Sequence, residues 1–200
     1  MRKLFYLLAL VLLSQVSFGQ AVNDQAVIPV SVTLNSILRL TVVSGGNIEF
    51  VVNTIDQYTT GINSTGANAR YQTNFTVSSS QNFDVLLRAE DAALMGQDSA
   101  LAQMPLDNIG YDVIKNPISP AAAGTWTLAG ITGLAVAQTT IVDGSTAPAL
   151  PSAGDAKQND FIIRWRLGTQ EGTMRGASLL SQSLGSDRYV TNVFLELNPK

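Results

Sequence analysis

The 200-residue chain contains no cysteine and no histidine, and only 14% of its residues are charged. Each absence removes a class of chemistry. Without cysteine there is no disulfide, no thiolate nucleophile, no Cys-held zinc or iron–sulfur cluster and no lipidated cysteine. Without histidine there is no Ser-His-Asp triad, no imidazole metal ligand and no side chain that titrates near neutrality unperturbed. Basic residues number 12 against 15 acids, for a net charge of −3. That balance argues against nucleic acid, because phosphate contacts need clustered Lys and Arg. Uncharged polar residues fill the gap: Ser, Thr, Asn and Gln together make 59 of the 200. Their side chains build hydrogen-bonded surfaces but are poor nucleophiles and bases at neutral pH. The composition points to a β-rich structural or binding protein, not an enzyme, with no metal and no cofactor.

Residues 1–19 read as a signal peptide. Arg2 and Lys3 form a basic start, Leu4 to Leu13 an apolar stretch, and Ser17-Phe18-Gly19 a small-residue cleavage site. The apolar stretch is shorter than the roughly 20 residues that span a bilayer. No second run of membrane length follows, so the expected product, residues 20–200, is secreted, periplasmic or held at the cell surface. Its 181 residues suit a single domain with a core that needs no covalent staple.

Period-two alternation dominates that domain, the pattern of half-buried strands. Ile28, Val30, Val32 and Leu34 alternate with Pro29, Ser31 and Thr33, and Leu38, Leu40 and Val42 continue the pattern. Ser44-Gly45-Gly46-Asn47 predicts a tight turn into Ile48, Phe50 and Val52, giving a hairpin over 37–53. Tyr71 to Val77 and Phe83 to Ala89 predict a second hairpin around Ser78–Asn82. The polar stretch 54–70 reads as a loop with one helical turn near Ile55–Tyr58. The Ala- and Leu-rich segment 90–104 reads as a short helix closed by Pro105. Strands are expected at 109–114, 126–128, 139–142, 161–167 and near the C-terminus, with helical turns within 177–184. The sum is an all-β, antiparallel, Ig-like or pilin-like β-sandwich of about 7–9 strands with long loops, and an irregular elaboration around 90–160.

Two segments carry a family likeness. The run VIPVSVTLNSILRLTVVSGGNIEF, followed after a polar loop by YQTNFTVSSSQNFDVLLRAED, resembles secreted bacterial pilin-like β-sandwiches of the spore-coat-protein-U type. The final strand, 188–198, is similar to the closing strand of such domains. The chain departs from that group in lacking a cysteine pair and in its large 90–160 insert. The resemblance implies a surface or appendage component assembled by lending a strand to a neighbour.

Few residues stand out as sites. Asp84 and Glu90 fall on one strand face, but six extended positions span about 20 Å, too far for joint catalysis. Tyr58 and Trp126, in polar and Gly-rich surroundings, are the candidate ligand contacts, with a glycan as the ligand. Arg164 and Arg166 share one outward strand face and are candidates for contact with an acidic glycan or partner. Asp98-Ser99-Ala100 matches a short bacterial O-glycosylation pattern, with Ser99 as acceptor. The expected function is a structural or interaction subunit of a surface appendage, coat or matrix, with self-association or another surface protein as partner. The alternative is a non-catalytic glycan- or ligand-binding module. Residues 20–34 are either the first strand of the chain's own sandwich or a candidate donated strand.

Overall fold

The computed structural model describes residues 28–64, 69–99, 101–118, 126–144 and 152–200. The expected signal peptide lies outside the described residues. The chain divides into two units, Met1–Leu34 and Asn35–Lys200. Within the first, residues 28–34 form no strand despite their alternation, and all seven are exposed.

The second unit is all-β. In chain order its strands are β1 (Leu38–Ser44), β2 (Gln72–Ser79), β3 (Phe83–Ala89), β4 (Ala93–Gly96), β5 (Gln103–Pro105), β6 (Ile109–Lys115), β7 (Trp126–Leu128), β8 (Thr132–Gly133), β9 (Thr139–Gly144), β10 (Asp160–Leu167), β11 (Tyr189–Val190) and β12 (Val193–Pro199). They form three antiparallel sheets, ordered β1-β2-β10-β6-β8, β12-β3-β9-β7 and β11-β4-β5. The first two share one apolar core. Phe75, Val77, Phe161 and Ile163 enter it from the five-stranded sheet, and Phe83, Val85, Leu87, Ile141 and Val142 from the four-stranded one. Each such side chain contributes about 1.5–3 kcal/mol by leaving water. A bulge in β9, where the register against β3 slips between Val85 and Leu86, turns both Ile141 and Val142 inward.

Apart from 28–34 and 48–52, which form no strand, the strands predicted from alternation are present, but their pairings differ from the expected hairpins. β1 does not pair with residues 48–52; it pairs with β2, Leu38 opposite Ser79 and Val42 opposite Phe75. Gly45 diverts the chain. Its φ is +70°, a Cβ there would lie 1.9 Å from the Gln72 carbonyl oxygen, and its own carbonyl accepts from Thr73 Oγ1 at 2.6 Å. The chain therefore leaves the sheet, and Phe50 comes to stack on Tyr71 with ring centroids 4.5 Å apart. Likewise β2 and β3 are adjacent in sequence but sit in different sheets. Phe83 N–H donates to Ser152 Oγ instead of closing a hairpin on β2.

Segment 90–104 is not a helix. It forms β4 and β5, paired with each other and, through β4, with β11 nearly a hundred residues later. Nor is the 90–160 region an appendage. It supplies β6, paired to β10 over seven residues, and β9, paired to β3. The expected helical turn is α1 (Ile55–Thr60), opened by a capping box between Thr54 and Gln57 and ended by Gly61 at φ +78°. Among the described residues, no helix is long and apolar enough to cross a membrane.

Candidate functional site

The most unusual surface is apolar. Ile28, Val30, Val32 and Leu34 are 81%, 85%, 78% and 89% exposed. Scattered exposed leucines and valines are normal, but four in strict alternation are not. β1, at the edge of its sheet, continues the apolar character with Leu38, Val42 and Val43 exposed. A sheet edge with unpaired main-chain groups is a template for another strand.

A second feature lies on the outer face of the five-stranded sheet. There Asn74, Thr76, Asn116 and Asp160 line a shallow cleft of about 490 Å³, with Lys157 at its margin. Asn116 Nδ2 donates to Asp160 at 3.0 Å. Asn74 and Thr76 face the cleft because β2 alternates, sending Phe75 and Val77 inward, while Val43 and Ile118 make much of the remaining lining apolar. No aromatic side chain among the described residues lines this cleft.

Tyr58 and Trp126, the expected ligand contacts, both pack against the core. Tyr58, on α1, is half-buried. Trp126 stands edge-on to Phe161 at 5.3 Å, with Lys115 Nζ 5.8 Å from its ring centre. Its indole N–H is buried and meets no acceptor among the described residues.

Arg164 and Arg166 do share the outer face of β10, but they are not available as an open basic patch. Arg166 is 2% exposed. Both arginines converge on the buried Asp112 of β6: Arg164 Nε donates to Oδ2 at 2.9 Å, and Arg166 Nη2 donates to Oδ1. Arg166 Nη1 also donates to Glu171 at 2.6 Å. The outward face is covered here because the segment after β10 folds back over it. Met174 fills the space beside Gly110, where a Cβ would lie 2.3 Å from its sulfur. These charges are a structural network.

Ser99 is exposed in the loop that follows β4. Sequence spacing gave no sign of what holds that loop, because its anchor is Asp187. The Asp187 carboxylate accepts from the main-chain N–H groups of Gln97 (3.1 Å), Asp98 (2.9 Å), Ser99 (3.1 Å) and Arg188 (2.6 Å). These bonds, that from Asp98 foremost, hold the carboxyl below the ordinary aspartate value of 3.8. Asp155 is also occupied locally, accepting from the N–H groups of Lys157 and Gln158.

No protein-family model and no curated protein matches the chain.

Proposed function

We propose that this is a secreted or cell-surface structural subunit that assembles by β-strand pairing, with residues 28–34 as the lent strand. The carrying observation is the exposure of Ile28, Val30, Val32 and Leu34 on an extended stretch outside every sheet. A period-two apolar face stabilises a chain only when something covers it, and the usual cover is a sheet to which the strand is added. The spore-coat-protein-U resemblance supports the same reading, as does a composition without histidine or cysteine.

The test is removal of residues 20–34 from the secreted chain. The shortened protein is expected to keep its circular dichroism and melting temperature, because residues 28–34 are exposed and join no sheet, and to lose self-association in light scattering. Unchanged self-association would overturn the reading.

A further inference from the structure

On the reading that residues 28–34 are lent, we infer that their acceptor is the segment 48–52 of a second copy of this chain, which follows a bend at Gly46 and Asn47. That segment is half of a sheet. Ile48, Phe50 and Val52 are half-buried against the core while Glu49 and Val51 are exposed, the alternation of a strand. Yet the main chain of residues 46–52 makes no hydrogen bond with any described residue. Main-chain N–H and C=O groups are obligatory hydrogen-bonding groups, and in regular structure they pair with a neighbouring strand. Here the side chains have found their places, and among the described residues no ladder accompanies them.

Residues 28–34 lack the opposite half: they have a strand's pattern and no sheet. Residues 48–52 span roughly 16 Å extended, within the roughly 23 Å that residues 28–34 cover. In register, Ile28, Val30, Val32 and Leu34 lie beside Ile48, Phe50 and Val52 on the core face. Ser31 and Thr33 then lie beside Glu49 and Val51 on the solvent face. Pro29, which has no N–H, falls at the start of the lent strand, where a proline is tolerated. The lent residues carry no charge, and Glu49 is already paired with Arg188 at 3.5 Å, so the approach meets no uncompensated carboxylate.

The occupant is a second copy because of how β1 is held. Ile37 N–H donates to Ser80 Oγ and Ile37 O accepts from Ser80 N–H, both at 2.9 Å. Only Asn35 and Ser36 separate Leu34 from that fixed point. Ile37 and Gly46 flank β1 at opposite ends of a seven-residue strand.

The absence of cysteine makes the test clean, since introduced thiols have no native competitors. One preparation carries Ser31→Cys, and others carry Glu49→Cys, Val51→Cys or Thr41→Cys, the last on β1 as the rival acceptor edge. Each is checked for native circular dichroism, mixed pairwise and mildly oxidised. Disulfide closure needs Cβ atoms about 3.5–4.5 Å apart, so only true strand neighbours link efficiently. The expected result is a heterodimer band for Ser31→Cys with Glu49→Cys or Val51→Cys, and none with Thr41→Cys. Linkage to Thr41→Cys alone, or association without linkage to residues 49 or 51, overturns the acceptor and leaves strand lending standing. A Ser31→Cys/Glu49→Cys double variant that closes as a dilute monomer overturns the second copy as occupant. A protein that stays monomeric at every concentration overturns both.

Discussion

At the scale of single residues, a small number of polar side chains decide where main chain and core meet. Thr73 is the clearest. Its hydroxyl accepts from the Trp165 indole N–H at 2.9 Å and donates to the Gly45 carbonyl at 2.6 Å, joining β10, β2 and the exit of β1. Thr73→Val keeps the shape and removes both bonds, leaving a buried donor and a half-buried acceptor unpaired. Urea unfolding is expected to show a loss of about 1–3 kcal/mol; a loss within error of zero would mean water replaces the hydroxyl. Asp187 acts by charge. Its folded-state carboxyl binds a proton less readily than in the unfolded chain, so its contribution is fully present above pH 3.8 and is lost as pH falls through the lowered folded value. Nitrogen-15 relaxation should therefore show the amides of Gln97, Asp98 and Ser99 ordered at about pH 6 and mobile at about pH 2. Asp187→Asn should leave them mobile at both; order retained at low pH would show that the loop does not depend on this carboxylate.

At the scale of elements, alternation disclosed the strands and local sequence misassigned their partners. β2, β3, β6 and β10 were legible because each sends apolar side chains to one face with period two, or runs nearly apolar throughout. The hairpins expected over 37–53 and 71–89 were inferred from turn residues, which report that a chain bends and not into which sheet it goes. At Gly45 the deciding contact is with Gln72 and Thr73, and at Phe83 it is with Ser152. Both lie far along the chain. The same blindness turned 90–104 into a helix: its Ala and Leu favour helix locally, but pairing with β11 overrides propensity. The face of Arg164 and Arg166 differs from its expected openness for a related reason. Alternation correctly put Arg164 and Arg166 outside the core layer, but outside a sheet is not the same as in solvent when the next segment returns over it. Asp112, which both arginines need, carries no sign in the sequence of being their partner.

At the scale of the whole molecule, a fold outside any disulfide rests on one core shared by two sheets and on what its edges meet. If copies join through residues 28–34, the joint contains main-chain hydrogen bonds and apolar side chains but no lent charge. Its affinity should then change by no more than about threefold between roughly 50 and 500 mM sodium chloride, measured by analytical ultracentrifugation, because screening acts on charges. A steep weakening with salt would point to an ionic interface instead. The way the chain enters and leaves the folded unit has a mechanical side. β1 lies on β2 across six paired positions and β12 on β3 across seven, with Lys200 N–H bonded to Asn82 O at 2.7 Å beyond the last of them. A tensile load directed along these strands is borne by all the rungs at once, in shear, and not by one rung at a time as in peeling. Units linked end to end through such strands would yield only when a whole ladder slips together.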